Sequence, residues 1–319
     1  MKREEARRVE RLIAPYRVEP GRRIHLPRDF DPAATSELVR KEDAKQLLGE
    51  GVRLLSEYQE RLAAQDRWSL LVILQAMDAA GKDGTIRHVM SGVNPQGVEV
   101  TSFKAPSVAE LDHDYLWRTS LRLPARGMIG IFNRSYYEEV LVVRVHPEIL
   151  DGQRLPAGST GKGIWKRRYR EIAELERRLH DNGTRVVKLF LNVSKDEQRR
   201  RFLERIDQPE KHWKFSAADI RERRHWDAYQ AAYAEAISAT STADAPWYVI
   251  PADHKWFTRL VLAATIVDAL ERLDLSYPEF DKTLLGLLYC FNDFVVWHQS
   301  ATLYVRHQTL WTERASVLF

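Results

Sequence analysis

The hydrophobic rhythm of the chain changes at residue 69. Between residues 41 and 65 the apolar positions Leu47, Leu48, Val52, Leu54, Leu55, Tyr58 and Leu62 recur at helical spacing, which predicts one amphipathic helix. Leu70, Leu71, Val72, Ile73 and Leu74 then run without a polar break, as in a strand buried on both faces. A second strand alternates over 98–103, Ser107 caps a helix reaching to about 119, and 127–132 reads as a buried third strand. A basic helix over 164–180, stopped by Asn182 and Gly183, leads to a fourth strand over 186–191. Helices over 194–206 and 218–238 flank a break at 211–215, and a fifth strand at 247–250 precedes a helix over 256–273. Strands alternating with helices predict an α/β protein whose five-stranded parallel sheet is covered on both faces, a three-layer α/β/α sandwich.

The two ends do not share that rhythm. Residues 1–40 are charged and punctuated by Pro15, Pro20, Pro27 and Pro32, and read as an extended arm lying over the domain or mediating assembly. Residues 281–319 hold Trp297, His298, His307 and Trp311 with no caps or sustained period; an accessory helix and a frameshifted end both fit, and no function is assigned. The expected organisation is an N-terminal extension (1–40), a main domain (41–275) and a C-terminal tail (276–319).

Composition narrows the class. The 319 residues can bury a sizeable core, and 44% hydrophobic with 29% charged residues describe an ordinary globular protein. The one cysteine, Cys290, argues against a disulfide framework or a cysteine-based zinc cluster. With no signal-like start and no apolar run of membrane-spanning length, a cytoplasmic protein without a membrane partner is expected. A net charge of +4 does not announce nucleic acid, but its distribution is uneven: seven Lys/Arg face three acids over 162–178, and nine face five over 199–226. Either stretch alone reads first as a solvated helix face.

Candidate chemistry begins after the first strand. Gln75, Ala76, Met77, Asp78, Ala79, Ala80, Gly81, Lys82, Asp83, Gly84 and Thr85 form a small-residue turn ending in Gly-Lys before a helical pattern. That is the layout of a phosphate-cradling loop, in which inward N–H groups, a helix N-terminus and a lysine ammonium meet an anion. The match is imperfect: Ala76 stands where the first glycine belongs, and Asp83 replaces the hydroxyl that ordinarily holds Mg²⁺. Asp78 and Asp83 are hard oxygen ligands that could hold a divalent ion instead. Ligands of such sheets gather at the carboxyl ends of the strands, where Asn133, Arg134 and residues 251–255 add polar groups. Arg134 suits a two-oxygen clamp. Arg201, Arg205, Lys211, Lys214, Arg221, Arg223 and Arg224 lie around the 211–215 break, as in a helical lid over about 199–226 that excludes water from the phosphates. Trp213 and Trp226 there either pack or cover a base. The histidines lack metal-ligand spacing, and Ser135 has no nucleophile elbow.

These motifs together resemble the family-2 polyphosphate kinases, P-loop kinases that move phosphate between polyphosphate and nucleotides. The resemblance is carried by the loop over 77–84, by Phe103, Lys104, Ala105, Pro106 and Ser107, and by Leu116, Trp117 and Arg118. Further on it is carried by 132–138, by Trp213, Lys214 and Phe215, and by 245–255. It implies a P-loop kinase-like fold, with Asp78 as the metal-linked carboxylate, Lys82 as the phosphate lysine and Arg134 as the strand-end arginine. Ala79, Ala80, Gly81, Asp83, Gly84 and Asn133 would complete the loop site, and Lys104, Arg118, Lys214 and Lys255 would lie along the phosphate path. Asn133 to Glu138 look like the class III branch accepting both AMP and ADP, the acid at Glu138 pointing toward acceptance of AMP as well as ADP. The resemblance also implies Mg²⁺ or Mn²⁺, with inorganic polyphosphate, AMP, ADP and ATP as partners, and a homo-oligomer is expected. An ATP-dependent nucleoside monophosphate kinase and a non-catalytic polyanion-binding P-loop protein are the alternatives.

Overall fold

The structure, a computed structural model, describes residues 3–279 except 27, 162 and 215, and omits the side chains of 214, 217 and 218. The chain divides after Ser276, and the unit Met1–Ser276 carries every helix and strand among the described residues. Its elements run α1 (Arg3–Ile13), β1 (Arg17–Val18), α2 (Ala44–Gln65), β2 (Ser69–Ala76), α3 (Lys82–Val89) and β3 (Val98–Ser102). Next come α4 (Val108–Leu111), α5 (Trp117–Ser120), β4 (Ile129–Asn133), α6 (Glu138–Val145), α7 (Ile149–Gly152), α8 (Ile164–Asp181) and β5 (Thr184–Asn192). The order closes with α9 (Lys195–Asp207), α10 (Ala217–Glu222), α11 (Trp226–Thr240), β6 (Trp247–Pro251) and α12 (Lys255–Glu271).

The strands form one sheet in the order β1-β6-β5-β2-β4-β3. β2 to β6 pair in parallel, as expected from the helix–strand alternation, and every residue of β2 is buried between β4 and β5. The expected five strands are six, because Arg17 and Val18 pair antiparallel with Tyr248 and Trp247 at the edge. A two-residue strand carries no periodicity of its own. The N-terminal segment also differs from a wholly extended arm. It opens with α1, whose Leu12 and Ile13 are buried, and crosses the carboxyl ends of β5 and β6, where the Phe30 carbonyl accepts from Asn192 Nδ2 (2.9 Å) and that of Pro32 from Asp253 N (3.1 Å). α2, α3 and α12 form one helix layer with α1, and α6, α8 and α11 the other.

Local chemistry accounts for the element ends. Ser107 and Glu110 form a full capping box on α4. The single helix expected from Ser107 to about 119 is instead split into α4 and α5, because Asp114 Oδ1 takes the N–H of Leu116 (2.9 Å), a local turn bond that competes with helix. Gly183 ends α8 at φ 84°, and a Cβ there would sit 2.8 Å from the Arg67 carbonyl oxygen.

One polar cluster lies deep in the core. Lys188 on β5 donates to Glu176 Oε2 (2.5 Å), Tyr137 Oη (3.2 Å) and the Thr240 carbonyl (2.6 Å). Tyr136 and Tyr137 both donate to Glu176 Oε1 at 2.9 Å. Burial pushes the Lys188 pKa down and the Glu176 pKa up, and their mutual attraction opposes both. These bonds anchor the turn after β4, from which Arg134 and Glu138 project.

Candidate active site

Register brings the site together. Leu74 pairs with Asn133, Ala76 with Leu191, and Asn192 with Pro251, so the ends of four parallel strands finish at one edge. There Asp78, Ala79, Ala80, Gly81, Lys82, Asp83, Gly84, Asn133 and Arg134 line a cavity of about 390 Å³ together with Arg205, Trp213 and Asp219. The loop is held in an unusual backbone shape: Ala79 is left-handed at φ 60°, and Gly81, the N-cap of α3, is left-handed at φ 103°. Left-handed residues alternating with ordinary ones turn successive N–H groups into one concavity suited to an anion.

The charged groups form a connected set. Lys82 Nζ donates to the Ala76 carbonyl at 3.0 Å. Burial lowers its pKa and Arg134 lowers it further, while Asp78, Glu138 and Asp83 oppose the shift. Arg134, itself left-handed at φ 65°, reaches Glu138 Oε2 (3.3 Å) with one nitrogen and Asp78 Oδ1 (3.1 Å) with the other. Glu138, and less strongly Asp78, raises the pKa of Arg134. Asn133 Nδ2 donates to Asp83 Oδ1 at 2.7 Å.

Asp219 on α10 is the third carboxylate lining the cavity, with Asp78 and Asp83. Its pKa is raised by burial first and by the charge of Asp78 second. Two carboxylates that repel each other beside a phosphate loop suit a divalent cation. Among the described residues no group of three or more His, Cys, Asp or Glu is placed to hold a metal by itself.

Other residues singled out in the sequence lie elsewhere. Lys104 is exposed, and its carbonyl takes Arg118 Nη1 at 2.7 Å. Arg118 is 9% exposed, stacks over Phe103 and lies outside the cavity lining. Lys255 is exposed at the start of α12, and the side chain of Lys214 lies outside the described residues. Within residues 199–226, Arg201 is not a free phosphate-gripping cation. It is 4% exposed and donates to the carbonyls of Ala79 (3.1 Å), Ala80 (2.6 Å), Ala252 (2.5 Å) and Asp253 (3.2 Å). Arg223 likewise holds the Lys195 carbonyl and Gln198, and Lys211 pairs with Glu204. Arg205 lies 3.6 Å from Asp219 at the cavity wall. Trp213 lines the cavity at 78% exposure, whereas Trp226 is buried, which is a packing position. Asp219 and Gln198 escaped sequence reasoning, since one acid or amide on a charged helix carries no motif.

A phosphate loop after the central strand of a parallel sheet, faced by an arginine spanning two carboxylates, defines a P-loop phosphotransferase. Within that class the chain belongs to the polyphosphate kinase 2 family, whose model matches residues 37–277. It is 55% identical over 268 residues to a Rhodopseudomonas palustris protein named ADP-polyphosphate phosphotransferase, covering 83% of this chain and 91% of the relative. It is 49% identical over 265 residues to the AMP/ADP-polyphosphate phosphotransferase of Meiothermus ruber, covering 83% and 95%. The crystal structure of polyphosphate kinase 2 from Arthrobacter aurescens TC1 superposes with a TM-score of 0.77 at 42% identity, covering 86% of this chain and 95% of that one.

Proposed function

We propose that this protein is a polyphosphate-dependent nucleotide kinase that transfers a terminal phosphate of inorganic polyphosphate to ADP and AMP in the cytoplasm. The observation carrying the reading is the bridge from Asp78 through Arg134 to Glu138 above a lysine-tipped phosphate loop. Both a polyphosphate link and the terminal link of ATP are phosphoanhydrides, so transfer runs either way according to concentration.

The chain's own groups have separable tasks. The N–H groups of Ala79, Gly81 and Lys82 and the Lys82 ammonium hold the oxygens of one anion, the Ala80 N–H being taken by the Met77 carbonyl. Arg134 presents a planar fork to the phosphoryl group in transit, where charge spreads over its equatorial oxygens. Asp78 and Asp219 would hold Mg²⁺ or Mn²⁺, which when bound neutralises the reacting oxygens. Glu138, paired with Arg134 at 3.3 Å, orients it and would bias the choice between AMP and ADP. The segment 199–226 acts as the lid, bringing Arg205 and Trp213 over the reactants so that water is excluded.

The test is to mix purified protein with long-chain polyphosphate, Mg²⁺ and either AMP or ADP, and to separate the nucleotides. ATP formation from ADP without an ATP donor is the expected result, and Asp78→Asn or Lys82→Ala should abolish it while the protein stays folded by circular dichroism. An enzyme that needs ATP as its donor is instead a nucleoside monophosphate kinase. Salt-sensitive polyphosphate binding without turnover would mark a binding protein.

A further inference from the structure

Three consecutive carbonyls of the phosphate loop are gripped by one face of α9. Gln198, 2% exposed, donates from Nε2 to the Asp78 carbonyl at 3.0 Å. Three residues on, Arg201 Nη1 takes the carbonyls of Ala79 and Ala80, and its Nη2 ties them to the segment after β6 through Ala252 and Asp253. Arg201 is itself fixed, because its Nε donates to Glu197 Oε1 at 2.7 Å. Gln198 Oε1 accepts from Arg223 Nη1 at 2.6 Å, and Arg223 lies on the far side of the lid. The two stems of the lid therefore meet on a single amide that also holds the loop.

Geometry gives this grip a purpose. In a planar trans peptide the carbonyl of one residue and the N–H of the next point in opposite directions. With the carbonyls of Asp78 and Ala80 turned to α9, the N–H groups of Ala79 and Gly81 point away from it. That of Ala80 bonds to the Met77 carbonyl (3.3 Å). The arrangement also needs Ala79 at φ 60°, a conformation that an alanine keeps only where its surroundings over-determine it.

We infer that Gln198 and Arg201 are positioning residues that hold the loop amides in their phosphate-binding orientation and couple that orientation to the lid. The inference rests on the reading of the loop as a phosphate cradle. It separates Arg201 from a lid cation that touches polyphosphate directly, which is what its place in a basic stretch suggests.

The experiment uses the full chain with polyphosphate, Mg²⁺ and ADP. Gln198→Glu keeps the shape and the link to Arg223 but sets a carboxylate oxygen against the Asp78 carbonyl. It should lower kcat by about 10²-fold, the effect of a small misplacement of the reacting groups, while both KM values stay within about twofold. Arg201→Lys should fall as far as Arg201→Met, since one ammonium cannot span carbonyls on two segments. A lysine variant near wild-type kcat with a raised KM for polyphosphate would overturn the inference, as would unchanged kcat in Gln198→Glu. If the Arg201 variants do not fold, Gln198→Glu decides alone. Amide hydrogen exchange over residues 79–82 gives a readout without substrate: faster exchange in Gln198→Glu supports the positioning role, and unchanged exchange refutes it. Wild-type protein inactive with polyphosphate would sink the functional reading instead, and the exchange result would still stand.

Discussion

Arg134→Lys separates the work of a planar fork from that of a positive charge. In the structure the guanidinium reaches Asp78 at 3.1 Å and Glu138 at 3.3 Å, with side chains 40%, 31% and 15% exposed respectively. An ion pair of that exposure is worth roughly 0.2–1 kcal/mol, so loss of both costs at most about 2 kcal/mol of stability. At about 2.1 cal/mol/K of unfolding entropy per residue, that lowers the Tm of a chain of this size by at most about 3 °C. The left-handed backbone at Arg134 is no worse for lysine, so no further strain is added. Catalysis should suffer far more. An ammonium cannot face two carboxylates and two phosphoryl oxygens in one plane, and loss of one donor aimed at developing charge costs about 10²–10³ in kcat. The assay is ATP formation from ADP and polyphosphate, read by coupled luminescence, beside thermal unfolding by circular dichroism. A variant keeping more than about a tenth of wild-type kcat would refute the clamp. A variant unfolded at assay temperature would assign Arg134 to the scaffold.

Glu138→Asn should lower turnover with AMP more than with ADP, and some loss with ADP is also expected because Glu138 helps to hold Arg134; equal loss on both acceptors would remove Glu138 from acceptor choice. Glu176→Gln leaves the Lys188 ammonium without a counter-charge in the core and should cost about 3–5 kcal/mol, whereas Glu176→Gln combined with Lys188→Met removes both charges, keeps an acceptor for Tyr136 and Tyr137 and should recover part of it; denaturant midpoints at constant m-value distinguish the two. Glu197 is held down to a pKa of about 2 by hydrogen bonds from Arg200 and then Arg201. Because the folded pKa lies below the unfolded one, its contribution is full above about pH 4.5 and is lost as pH falls towards 2. The Tm gap between wild type and Glu197→Gln should therefore shrink between pH 5 and pH 2; a constant gap would show that the charge of Glu197 does not matter.

Much of this architecture is written in local order. Strand and helix period placed β2 to β6 in sequence, the Gly-Lys turn after β2 marked the phosphate loop, and Asn133 with Arg134 followed a buried strand. Each of these signals lies within a dozen residues, where apolar spacing and turn chemistry act directly. Which charges meet is settled only when the chain packs. Arg134 finds Asp78 from 56 positions away, and Arg201 reaches Ala79 across 122. As letters Arg201, Arg205 and Arg223 are alike, yet one is buried against four carbonyls and another stands at the cavity wall. The strand pair of Arg17 and Val18 was likewise invisible, being too short to show a period and stabilised only by an edge formed more than 200 residues later. A side chain's burial and its partner depend on how the sheet ends converge, and convergence is a property of the packed chain rather than of any window along it.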